Sequence, residues 1–168
     1  KYEKIVDNIE IEIASYLTRL SESKLSMKST REIQVMLKII SEIESIGDAC
    51  HDMAKTIKNK NDEKIYFLQE QRNNLSSLFE PVEKALNKMI NQLSGDYDKV
   101  NMDDMKEITG HVDKVVADLQ LKHIKSINKE HYSYQTGIYY INLVEHLNKA
   151  THYASNVFRS LSDLNPNP

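Results

Sequence analysis

Large apolar residues recur along this chain at spacings of three and four, the period of an α-helix with one buried face. Ile5, Ile9, Ile13, Tyr16, Leu17 and Leu20 predict a first helix over residues 2–21 with that set turned to a core. A polar break follows at 21–28. Ser29-Thr30-Arg31-Glu32 then reads as a capping box, Ser29 accepting from a free amide and Glu32 reaching back. The second helix runs to about residue 59, on the order of 45 Å at 1.5 Å per residue. Its stripe is Ile33, Met36, Leu37, Ile40, Ile43, Gly47, Cys50, Ala54 and Ile57, and residues 59–62 close it.

A third helix is predicted over 65–93, with Leu68, Leu75, Leu78, Val82, Leu86, Met89 and Leu93 as its stripe. Pro81 falls inside it, but the stripe keeps its phase, which argues for a kink rather than a break. Residues 94–98, with Gly95, Asp96 and Asp98, read as a loop. Asn101 can cap a fourth helix whose first turn carries Asp103 and Asp104. That helix uses Met105, Ile108, Val112, Val115, Leu119 and Ile127. A last helix over 134–161 carries Tyr140, Val144, Leu147, Ala154, Phe158 and Leu161, and residues 163–168 form a disordered tail. No strand pattern occurs. With only 4 Gly and 3 Pro in 168 residues, the expected class is all-α, a bundle of five long helices.

Composition trims the functional choices. A hydrophobic fraction of 40% can build a core. A formal charge of −3 and a pI near 6.1 give no reason to expect nucleic acid. Cys50 is the single cysteine, so no internal disulfide can form; it reads as a small buried hydrophobe in a reducing compartment. No stretch approaches the ~20 apolar residues of a membrane span. The chain opens at Lys1 inside a helical pattern, which predicts a domain belonging to a longer polypeptide.

Two internal features stand out. Ile5-Val6-Asp7 matches His111-Val112-Asp113, and Glu44 with His51 falls over Glu145 with His152, so the first two helices repeat as the last two. Two related hairpins side by side are expected, the first over about 1–60 and the second within 64–162. Glu44, Asp48 and Asp52, with His51, also lie along one side of the second helix, at the border of its apolar stripe. Carboxylates near a core need an answer: basic side chains from another helix, raised pKa values with shared protons, or a bound cation. Asp7, Asp113, Glu145 and His152 lie on helices that could face them. His111, His123 and His131 show no ligand spacing. The tyrosines at 132, 134, 139 and 140 read as helix-start packing, and Lys55, Lys58, Lys60 and Lys64 as a solubilising patch.

The run from Leu37 to Asp48, with Glu44-x-x-x-Asp48, resembles the ExxxD helix of PhoU-type domains. Tyr2–Leu25 and the segment from Glu130 to Gly137 resemble the flanking helices of one branch, the cytoplasmic PhoU-like domain that follows the membrane region of bacterial Na/Pi cotransporter family proteins. The resemblance implies a spectrin-like bundle, a pseudo-repeat of three-helix units whose first helix is missing here. It implies a soluble, non-catalytic regulatory domain of a sodium-dependent phosphate transporter at the cytoplasmic face of the bacterial inner membrane. Its partners would be the transmembrane region of the same protein and a second copy, with neither nucleic acid nor a small-molecule substrate. A divalent or iron-type metal ion is implied at the first motif, with Glu44, Asp48, Asp52, Asp7, Glu145 and His152 as candidate ligands. In the second motif, Glu145-His146-Leu147-Asn148-Lys149, Lys149 stands where the motif has Asp, so one half at most is a metal site. A free-standing PhoU-type regulator and a plain helical scaffold are the alternatives. A di-iron carboxylate enzyme needs Glu-x-x-His pairs, and none occurs.

Overall fold

Five helices make up the computed structural model, which describes residues 2–95, 101–128 and 132–164. They are α1 (Tyr2–Ser21), α2 (Met27–Asp62), α3 (Gln69–Ser94), α4 (Met102–Asn128) and α5 (Tyr134–Leu164). The fold is all-helical, as expected from the apolar spacing. Asp96 and Asp98 of the expected loop, Glu130 and His131, and most of the expected tail lie outside the described residues.

The helix starts show how local chemistry sets each boundary. α2 begins earlier than the Ser29 box predicts: Ser26 is the cap, and its Oγ accepts from the Ser29 amide at 3.1 Å. A hydroxyl three residues before an amide satisfies the same orphan donor, so either serine fits the pattern and the turn geometry chooses. α3 starts at Gln69, where Gln71 Oε1 accepts from the Leu68 amide at 2.9 Å. It then runs unbroken through Pro81. Asn101 caps α4 as expected, its Oδ1 accepting from the Asp103 amide at 3.0 Å.

α5 is the central element, packed on α2, α3 and α4, while α3 also meets α4. Its expected stripe holds: Tyr140, Val144, Leu147, Ala154, Phe158 and Leu161 are all buried. Small or short side chains at Ala150, Thr151, Ala154, Ser155 and Ser160 are buried too, which lets neighbouring backbones come near. Near the start of α5, a Cβ on Gly137 would lie 2.7 Å from His123 Cε1 and 2.8 Å from Ile127 Cδ1, so α4 comes close there. Two apolar clusters fill the bundle. One gathers Leu78, Val112, Val144 and Leu147; the other Ala85, Met105, Val157 and Phe158.

The two apolar stripes of the first hairpin are corrected. Among the described residues, α1 packs against α2 alone. Of its expected core set only Leu17 is buried, while Ile5, Ile9, Ile13, Tyr16 and Leu20 stay exposed. In α2 the buried residues are Ile33, Val35, Ile39 and Ala49, and Met36 and Ile57 are exposed. α2 serves two neighbours on different faces, so a single stripe could not describe it. Cys50, one residue past Ala49, is turned about 100° away from the α5 contact and is exposed rather than buried. The α1–α2 hairpin lies against the second half of the chain through the α2–α5 contact.

Candidate functional site

Where α1 lies on α2, Gly47 lets the helices approach. A Cβ there would meet Val6 Cγ1 at 3.3 Å. Around this contact the acids converge. Glu3, Asp7 and Glu10 are spaced i, i+4, i+7 on α1, so they share one side of that helix. Glu44 and Asp48 repeat the spacing on α2. Glu3, Asp7 and Asp48 each offer a carboxylate oxygen, all within 4.8 Å of one another. Glu3 and Asp7 are half-buried and Asp48 is exposed.

The electrostatics follow from that crowding. Burial pushes the Glu44 carboxyl above its ordinary value, and Asp48, Glu10 and Asp7 push it further, Asp48 through both its charge and a hydrogen bond. Among the described residues, the ion pairs formed are Lys28–Glu32, Lys88–Asp104, Lys106–Asp103 and His152–Asp113. None involves the cluster, so basic side chains do not answer these acids. Shared protons or a cation remain. The donor set fits a cation: carboxylate oxygens from two helices suit hard or intermediate divalent ions, whose ligands stand ~2.0–2.6 Å from the metal.

The other candidates are placed elsewhere. Asp52 lines a cavity of about 160 Å³ between α2 and α5, together with Asp48, His146, Lys149 and Tyr153. Lys149 thus shares this cavity with Asp48 and Asp52, but forms an ion pair with neither. Glu145 is exposed on α5. His152 Nε2 lies 2.8 Å from Asp113 Oδ1 on the α4–α5 surface, away from the cluster. His51 is exposed and joins neither group. The structure therefore gathers Glu44, Asp48 and Asp7, and leaves out Asp52, Glu145 and His152. It adds Glu3 and Glu10, whose helical spacing was visible in the sequence but whose partner helix was not.

A second polar feature sits where α3, α4 and α5 meet. A cavity of about 60 Å³ is lined by Gln71, Asn74, His123, Ser126, Tyr132 and Tyr140. His123 Nδ1 and the Tyr132 hydroxyl are 2.8 Å apart, and burial holds the imidazole below its ordinary pKa. Asn74 Nδ2 donates to the Tyr140 hydroxyl at 3.3 Å. Gln71 Oε1 is committed to the α3 start, which fixes the amide and leaves Nε2 buried without a hydrogen bond that meets the usual geometry. A polar cavity of this size accommodates ordered water. This explains the tyrosine cluster as packing and hydrogen bonding at the start of α5, with Tyr134 left exposed. Lys60 likewise turns inward, donating to the Ile65 carbonyl at 2.9 Å and lying 5.1 Å from the Phe67 ring.

Comparison with known proteins converges on the same two helices. Residues 1–57, which are α1 and most of α2, match the family model described as PhoU domain. No curated protein and no solved structure matches the chain. The matched stretch, residues 1–57 of 168, holds all five acids of the α1–α2 cluster, and it is this part of the chain that is similar to a PhoU domain.

Proposed function

We propose that this chain is a non-catalytic regulatory domain in phosphate uptake, the soluble part of a sodium-dependent phosphate transporter at the cytoplasmic face of the membrane. A PhoU-like domain supports a role related to phosphate regulation. The convergence of Glu3, Asp7 and Asp48 across the α1–α2 seam carries the rest of the reading. A cluster of carboxylates without basic partners weakens the contact between its two helices until its charge is neutralised. Glu3, Asp7 and Asp48, with Glu44 beside them, would hold a divalent or iron-type ion there, and that ion would supply the neutralising charge. The seam is then a joint whose stiffness depends on cation or proton, which is a means of passing a signal to a partner helix.

Elemental analysis of the purified chain tests the cation: Fe, Mn or Zn near one equivalent is expected, depleted in Asp7→Ala/Asp48→Ala. A metal-free wild type whose melting does not respond to added metal would sink it. The transporter setting is tested by the gene itself, which should encode several apolar spans of ~20 residues. Sodium-dependent phosphate uptake by cells carrying the double variant should then lose its response to external phosphate. The exposed apolar side of α1 favours a second reading, a helical interaction scaffold, in which the double variant leaves uptake unchanged.

A further inference from the structure

The cavity where α3, α4 and α5 meet holds more hydrogen-bond donors than its own walls satisfy. Gln71 is 3% exposed, and its Oε1 is tied to the Leu68 amide. Of the two N–H groups on its buried Nε2, the Tyr132 hydroxyl can take one at most, and the other has no acceptor among the described residues. The Tyr140 hydroxyl accepts from Asn74 Nδ2, which leaves its own hydrogen free to donate. Burial, and more weakly the charge of Glu70, raise the pKa of this phenol and keep it protonated. The first turn of α3 forms one wall, and Leu68 has no side-chain oxygen to cap the amides of Gln69, Glu70 and Gln71. Lys122 also lines the cavity and joins no ion pair among the described residues. Against these donors, Glu70 adds one carboxylate to the lining.

We propose that this cavity binds a small oxyanion that keeps a proton, the class to which inorganic phosphate belongs near neutral pH. A buried donor without an acceptor is costly, so a ligand that brings oxygen is favoured there. Gln71 Nε2, the Tyr140 hydroxyl and the Lys122 ammonium supply donors, and the positive end of α3 adds to them. The volume of about 60 Å³ is several times the ~10–15 Å³ that one water needs, room for about five non-hydrogen atoms. Glu70 decides which oxyanion enters. Its charge repels an ion with no hydrogen, such as sulfate, and accepts from one that carries an O–H, as phosphate does. A neutral amide would meet the donors but leave the Lys122 charge unanswered. The cavity lies outside the α1–α2 seam. Calling it a sensor of phosphate rests on the phosphate-regulation reading above; the binding itself does not.

Calorimetric titration of the purified full chain with inorganic phosphate, in excess chelator near neutral pH, tests the site. Phosphate should bind at about one equivalent, and about tenfold or more tighter than sulfate. Gln71→Glu keeps an oxygen for the Leu68 amide and replaces the free N–H groups with a second oxygen. It should weaken phosphate by about tenfold or more while circular dichroism shows unchanged helicity. Tyr140→Phe and Lys122→Gln, which leave the α3 start alone, should each weaken it severalfold. Glu70→Gln should weaken phosphate and tighten sulfate, erasing the preference. Asp7→Ala/Asp48→Ala should leave binding unchanged, which separates this site from the metal reading of the seam. A wild type that takes up no phosphate at about 10 mM overturns the proposal. So does binding that survives both Gln71→Glu and Lys122→Gln, or a Glu70→Gln chain that still prefers phosphate to sulfate.

Discussion

Asp48 of α2 and Asp7 of α1 bring carboxylate oxygens within 4.8 Å of each other across a helix seam, with Glu3 in the same group. Like charges this close disfavour the seam unless something neutralises them. The behaviour of the α1–α2 hairpin toward metal and toward protons follows from that one contact.

Metal should act as a stabilising ligand. At a free concentration about a hundredfold above Kd, a ligand specific to the folded state adds ~2.7 kcal/mol, which for a chain of this size raises Tm by roughly 5–10 °C. Scanning calorimetry with Mn²⁺ or Zn²⁺, then with excess chelator, measures this. Asp7→Ala/Asp48→Ala should abolish the shift. Glu145→Ala and His152→Ala should retain it, because the structure places both residues away from the cluster.

Glu44 sets a pH dependence in the metal-free chain. Its folded pKa lies above the ordinary 4.5, with burial the largest cause and Asp48 next. The folded state therefore holds this proton more tightly than the unfolded state does. Its contribution is fully present below about pH 4.5 and is lost as pH rises through the raised value. Glu44→Gln should flatten this part of the stability–pH curve. At neutral pH it should raise Tm by about 1–2 °C, the scale of relieving one exposed like-charge contact worth ~0.5 kcal/mol. A Tm that falls at neutral pH would mean that the Glu44 charge is favourably paired.

Two glycines should respond differently to alanine. At Gly137 the new Cβ meets His123, whose ring is tied to the Tyr132 hydroxyl, so crowding should cost about 1–2 kcal/mol in urea unfolding. At Gly47 the neighbour is Val6 of α1 at 3.3 Å, and α1 has no other helix to push against. It can give by a few tenths of an ångström. Gly47→Ala should then be neutral or stabilising by up to ~1 kcal/mol, the helix-propensity gain.

The centre of the bundle should be far more sensitive than its rim. Phe158 is 1% exposed between α5 and its neighbours, and Phe158→Ala should cost about 3–5 kcal/mol. Tyr134, 72% exposed, should tolerate alanine within about 0.5 kcal/mol. Chemical denaturation of the two variants side by side checks the contrast.

Periodicity in the sequence was sufficient for the helices and for the α5 stripe, because α5 is covered around most of its girth and any in-phase apolar set finds a partner. It failed on α1 and α2 for a physical reason. Apolar spacing tells which side of a helix avoids water, and nothing about whether another helix is there to cover it. Ile9 and Ile13 read as core and are exposed; Cys50 read as core because α2 was given one buried side and has two contacts on different faces.

The acidic pair divides in the same way. Local spacing alone determined that Glu44 and Asp48 share one side of a helix, since i and i+4 do so wherever the helix lies. Which acids answer them was decided by the antiparallel return of α1 and by the space left at Gly47. Those bring in Glu3, Asp7 and Glu10 and leave Asp52, Glu145 and His152 outside. A helix fixes neighbours four residues apart by its own hydrogen bonds; residues forty apart meet only through packing, and packing belongs to the whole fold.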